Sequence, residues 1–149
     1  MANLSRDSAA AYFSSLEMGE SLVEKSLNLF GEYGNYLSEP IEHVFVSEYR
    51  NEDGNRIYES IWFLTNSFLA EAHEITGTGY GDIVPVGAGF IRIQFSRENF
   101  DLEKAEDQAR FTTEIRLEKG ELAGTFKASG KNCEHLLAIL HQYMLPRLR

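Results

Sequence analysis

RIYESIWFLTNSFLAEAHE, residues Arg56 to Glu74, is the stretch that decides the fold class. It holds the only tryptophan, Trp62, together with Ile61, Phe63, Leu64, Phe68 and Leu69. Aromatic and β-branched side chains suit the pleated, half-buried surface of a sheet, so the stretch reads as two strands joined at Thr65-Asn66-Ser67. Asn66 tolerates the left-handed backbone of a tight turn. This hairpin is expected in the middle of the core.

Working outward, the hydrophobic period stays near two. Ile41 to Arg50 is an extended run, and Asp53-Gly54, inside Asn51 to Asn55, joins it to Arg56–Leu64 as a hairpin. Phe68 to Ile75 continues the sheet, and a glycine-rich segment from Gly77 to Asp82 leads to Ile83–Val86. In Gly89 to Arg97, Ile91, Ile93 and Phe95 alternate with Arg92, Gln94 and Ser96, and the apolar set is expected to face the core. Glu98 to Gln108 reads as an acidic surface loop. Phe111, Thr113, Ile115 and Leu117 form the next alternation, and Lys119-Gly120 turns it into Leu122, Gly124, Phe126 and Ala128. Connections this short fit antiparallel pairing, because parallel neighbours need a long crossover.

Both ends of the chain read as helix. Phe13, Leu16, Val23, Leu27 and Phe30 make one stripe between Ser8 and Phe30, which Gly19 and Ser21 divide, and Gly31 to Pro40 is expected to be a linker that stops the helix. Its apolar stripe is expected to pack on the sheet of its own chain, the alternative being a second copy, and hence a homodimer, or a partner. Near the C-terminus, Asn132 is the expected cap of a helix carrying Cys133, Leu136, Leu137, Leu140, Tyr143 and Met144 until Pro146. The expected fold is α+β. About seven antiparallel strands would form a partly open barrel over residues 41–149, capped by the last helix and preceded by a helical extension and linker over 1–40.

That order of elements, with the phrase Ile61-Trp62-Phe63-Leu64-Thr65-Asn66-Ser67-Phe68-Leu69, resembles the pleckstrin-homology (PH) superfold, including GRAM and bacterial PH-like domains. The resemblance runs from about Ile41 to Leu148 and leaves the N-terminal helix outside it. It implies a non-enzymatic binding or scaffolding module acting through protein or peptide contacts, with no cofactor. Family members that bind phosphoinositides use clustered Lys and Arg around the first strand-to-strand loop. Here that loop is Asn51 to Asn55, with Glu52 and Asp53, so strong phosphoinositide binding is not expected.

Composition narrows the function classes further. A formal charge of -9 repels nucleic acid and anionic membrane. Residues 1–60 carry eleven acidic and four basic side chains, and the remainder twelve and ten. The single cysteine, Cys133, excludes an internal disulfide and a cysteine-rich zinc site. With no membrane-length apolar run and no basic head with an apolar stretch at the start, a cytoplasmic location is expected.

The residues that bear chemistry are scattered. Thr78-Gly79-Tyr80-Gly81-Asp82 is similar to part of a potassium-channel filter, but a filter needs a membrane pore, and the glycines read as loop conformers. Thr78, Tyr80 and Asp82 remain candidates for a ligand or partner surface, as do Arg92, Arg116 and Lys127, which would form a basic stripe on one sheet face. His135 and His141 lie six apart on a helix and share no face, so no metal site is expected; with no Gly-x-Ser-x-Gly motif and no evident base beside Cys133, no catalytic set is expected either. Two other function classes stay open. One is a conical α+β (NTF2-like) ligand-binding protein or enzyme with an apolar pocket, in which His73, Glu71, Tyr58 or Asp82 points inward. The other is an acidic secretion-type chaperone.

Overall fold

The computed structural model describes residues 4–73, 75, 79–87, 89–98 and 112–149, the side chains of residues 97, 98 and 112 excepted. Among these lie helices α1 (Arg6–Ser15), α2 (Glu20–Leu37) and α3 (Asn132–Ile139). The strands are β1 (His43–Arg50), β2 (Arg56–Leu64), β3 (Phe68–His73), β4 (Gly81–Pro85), β5 (Arg92–Glu98), β6 (Thr112–Glu118) and β7 (Leu122–Ser129). They form a four-stranded sheet, β1-β2-β3-β4, and a three-stranded sheet, β5-β6-β7, neither closed into a barrel. The class is α+β, with antiparallel strands. The residues expected in the acidic loop Glu98 to Gln108 fall almost wholly outside the described ones.

The chain divides into two compact units, Met1–Val46 with Glu59–Val86, and Ser47–Tyr58 with Gly87–Arg149. In the first, the deciding stretch is core: Ile61, Phe63, Leu64 and Leu69 are fully buried, and Trp62 nearly so. Its turn is built differently from expectation, since Asn66 is not among the residues with positive φ. Thr65 closes the turn instead, its N–H donating to the Phe68 carbonyl and its hydroxyl accepting from the Phe68 N–H, both at 3.0 Å. Glu39 clamps the corner by accepting from the Ser67 N–H at 2.8 Å. Bonds from the Thr65 hydroxyl and from Ser67 hold the Glu39 carboxyl below its ordinary range, against a desolvation that pushes it up.

The N-terminal helix is two helices. α1 ends at Ser15, Glu17 takes a left-handed conformation (φ 62°), and Gly19 starts α2. The linker expected at Gly31 to Pro40 is a correction, because α2 runs on to Leu37. A helical glycine costs only about 1 kcal/mol. Continued burial of Tyr33 and Leu37 on the same stripe outweighs two of them, since each large apolar side chain contributes about 1.5–3 kcal/mol. Both helices pack on their own chain's sheet: Tyr33 stacks on Phe63 with centroids 4.8 Å apart, and the Val46 N–H donates to the Tyr12 hydroxyl at 2.9 Å.

In the second unit the two turns formed as expected. Gly54 (φ 81°) and Gly120 (φ 90°) supply the positive φ, and Asn51 accepts from the N–H groups of Asp53 and Asn55. The apolar alternation on β5 is a correction. Register places Phe95 beside Ile115 and Ile93 beside Leu117, on the apolar face. Yet Ile91 is 63% and Phe95 73% exposed, whereas Leu117 and Ile115 are buried. β5 has one strand neighbour in its sheet, so the residues that bury β6 leave the rim of the face open. Leu122, at the start of the other edge strand, is likewise exposed.

The last helix also differs in detail. Asn132 is not its cap but its first residue, preceded by Lys131. Leu137 is exposed and Ile139 takes its place in the core, after which the chain widens into a π turn (Leu140–Met144) and then tightens into a 3-10 turn (Leu145–Arg147). The C-terminus is then fixed by backbone: the Phe90 N–H donates to the Arg147 carbonyl, and the Arg149 N–H to the Phe90 carbonyl, each at 2.8 Å.

What Asn132 does is hold Glu48. This carboxylate, fully buried on β1, accepts from Arg56 Nε at 3.1 Å, the Ser129 N–H at 2.7 Å and Asn132 Nδ2 at 2.8 Å, and also from the Ser129 hydroxyl. Beside it the Ser47 hydroxyl accepts from the Lys127 N–H at 3.0 Å. Two N–H groups along the edge strand β7 are therefore taken by side chains rather than by a strand, which satisfies groups that would otherwise be open to another chain's edge.

Candidate functional site

The first unit carries a cleft of about 260 Å³. Register explains how it is lined. Phe63 pairs with Ala70 and Ile61 with Ala72, so these share the sheet face that Tyr33 stacks upon, while Glu71 points the other way and His73, the last residue of β3, borders both sides. At the end of the β3–β4 hairpin the His73 N–H donates to the Tyr80 carbonyl at 2.9 Å, and the two rings lie 5.2 Å apart. His73, Tyr80, Ala72, Ile75 and Gly79 form one wall of the cleft, and Lys25, Asn28, Leu29, Glu32, Tyr33 and Tyr36 of α2 form the other.

Helical spacing sets the α2 wall. Tyr36 lies one turn beyond Glu32, and its hydroxyl donates to Glu32 Oε1 at 2.5 Å, which fixes the carboxylate and pushes the phenol up. Tyr33 and Tyr36 meet edge to face, with centroids 5.6 Å apart. The Tyr33 hydroxyl rests against Gly81, where an added Cβ would come within 2.0 Å of it. Burial first, then the negative charges of Glu32, Asp82 and Glu71, raise the Tyr33 pKa.

On the opposite face, behind His73, stands a polar cluster. His73 Nε2 lies 2.9 Å from Asp82 Oδ2 and 3.3 Å from Glu71 Oε1, and the buried Ser60 hydroxyl donates to Glu71 Oε2 at 2.7 Å. Glu71 and Asp82 are register partners on neighbouring strands, which brings the two carboxylates together. Desolvation raises the Glu71 pKa, with Asp82 and Glu59 adding to the rise and Ser60 and His73 opposing it.

A pH dependence with a definite sign follows. A carboxyl raised in the folded state favours folding fully below its ordinary range and loses that contribution as pH rises through its folded pKa. Glu71→Gln, which still accepts from Ser60, should therefore gain stability relative to the parent protein as pH goes from acid to neutral. Urea midpoints of both proteins across that range measure it, and a flat or opposite difference would contradict the assignment.

Of the residues singled out by sequence, the fold brings Glu71, His73, Asp82 and Tyr80 together. Thr78 lies outside the described residues, and Tyr58 belongs to the second unit. Arg92, Arg116 and Lys127 do share one face of the three-stranded sheet. Arg92 forms an ion pair with Glu118, Lys127 faces Glu114 in register and lies 5.4 Å from the Tyr49 ring, and Arg116 stands between Gln94 and Thr125. No group of three or more His, Cys, Asp or Glu side chains that could hold a metal ion occurs among the described residues. The α2 wall went unread because Tyr33 and Tyr36 fall inside the presumed linker. Their spacing from Leu29 and Phe30 was the available signal.

No family model, curated protein or solved structure matches the chain. Charge adds the deciding element. The first unit has eleven acidic residues against two basic ones, Arg6 and Lys25, while the second has twelve of each. The entire formal charge of -9 thus falls on the unit that holds the cleft.

Proposed function

We propose that the chain is a non-enzymatic binding module of PH-like build whose acidic unit docks a basic protein or peptide. The observation that carries this reading is the confinement of the whole net charge to the first unit. A field of one sign raises the local concentration of oppositely charged partners and speeds their capture. Two sheets in the order β1-β2-β3-β4 and β5-β6-β7, followed by a helix, support the PH-like build. The size of the cleft supports a binding role over a metabolite enzyme, since about 260 Å³ falls below the roughly 300–1,000 Å³ of typical ligand pockets. Ser60, beside the His73 cluster, is buried and already donates to Glu71, so its hydroxyl is engaged in the fold. That the one cysteine, Cys133, forms no disulfide agrees with a cytoplasmic setting, and no described helix is long and apolar enough to cross a membrane.

The test is a titration of the whole chain with a lysine- and arginine-rich peptide and with a glutamate-rich peptide of equal length, followed by amide NMR. The basic peptide should bind, more weakly as salt rises, and shift amides of residues 1–46 and 59–86. Binding of the acidic peptide alone, or of neither, would overturn the reading.

A further inference from the structure

Tyr36 is 61% and Tyr80 63% exposed, two large aromatic side chains on facing walls of one cleft. Singly exposed apolar groups are ordinary on a protein surface, and what sets these two apart is that both line one concavity. Glu32 stands among them, its carboxylate oriented by the Tyr36 hydroxyl. A ring face carries negative potential, and a carboxylate beside it adds to the attraction for a cation that leaves water. Lys25, the single basic residue of the lining, is itself exposed. A volume of about 260 Å³ admits one long side chain but not a folded surface.

From these groups we infer that the cleft between α2 and the β3–β4 hairpin is a socket for one cationic side chain, lysine or arginine, of a bound peptide, with Tyr36 and Tyr80 as its aromatic walls and Glu32 as its counter-ion. This rests on the reading that the acidic unit receives a basic partner, and it adds where the partner is anchored. Burial first, and then the negative charges of Glu32, Asp82 and Glu71, raise the Tyr33 pKa, in keeping with carboxylates gathered at the cleft.

The probes are three acetylated, amidated five-residue peptides of glycine with lysine, arginine or norleucine at the centre, titrated into the whole chain. The lysine and arginine peptides should shift the amides of Glu32, Tyr33, Tyr36, His73 and Tyr80, and the norleucine peptide should not. Tyr36→Ala and Glu32→Gln should each weaken that binding about three- to tenfold. Glu20→Gln removes the same charge from the groove between α1 and α2, outside the cleft, and should have less effect than Glu32→Gln. Circular dichroism of each variant checks that α2 is intact. Equal binding of the norleucine peptide would overturn the socket, as would indifference to both Tyr36→Ala and Glu32→Gln. If a longer basic peptide binds with its shifts outside the cleft, the socket fails while the basic-partner reading stands. If no basic peptide binds, both fail.

Discussion

Glu48→Ala should lower stability by about 3–5 kcal/mol in urea unfolding followed by circular dichroism at neutral pH. The carboxylate is fully buried, and its partner Arg56 has a side chain only 8% exposed, so truncation leaves a guanidinium inside the protein without its counter-charge. The Ser129 N–H and the Asn132 amide lose their acceptor in the same step. Each unsatisfied buried group costs about 1–3 kcal/mol. Glu48→Leu combined with Arg56→Met removes both charges and should recover part of the loss. Full recovery is not expected, because Ser129 and Asn132 would still face apolar groups. A single Glu48→Ala variant within about 1 kcal/mol of the parent would mean that the network is not a principal support of the second unit.

Gly81→Ala is the second large effect, expected to cost about 1–3 kcal/mol or more. A Cβ at this position would lie 2.0 Å from the Tyr33 hydroxyl oxygen and 2.8 Å from the Glu71 carbonyl oxygen. Neither neighbour yields readily. Tyr33 is stacked on Phe63, and the Glu71 carbonyl belongs to the neighbouring strand. Adding Tyr33→Phe removes the closer clash and should restore part, but not all, of the stability, since the carbonyl remains. Because Tyr33 also lines the cleft, Gly81→Ala should displace α2 from the hairpin and abolish the shifts that a lysine peptide induces. A Gly81→Ala protein as stable as its parent would show that α2 rests less closely on β4 than the geometry indicates.

Some of this was legible in the chain and some was not, for physical reasons. Asp53-Gly54 and Lys119-Gly120 are local signals, decided by which residues accept positive φ, so both turns could be read directly. The apolar density around Trp62 marked the core for the same kind of reason. Gly31 and Gly34 misled because propensity is a weak local term. Burial of Tyr33 and Leu37, which depends on the sheet, overrode it. At the site, the spacing of Glu71 and His73 put them on one face of a strand. Only the register with β4 adds Asp82, and a register is not written in either strand alone. Glu48 was hidden most completely. In His43–Arg50 it follows Val44 and Val46 in alternation and looks like the wet end of the strand, because the groups that satisfy it lie in distant parts of the chain.

That separation matters before the protein is finished. Ser129 and Asn132 follow Glu48 by 81 and 84 positions. A ribosome adding about 5–20 residues per second needs roughly 4–17 s to deliver Asn132 after Glu48. Throughout that interval the newborn segment around Val44, Phe45 and Val46 carries a hydrated negative charge in its midst, which discourages it from sticking to its neighbours on the polysome. The residue that becomes an interior anion in the folded protein is, in the unfolded chain, a polar interruption beside an apolar run.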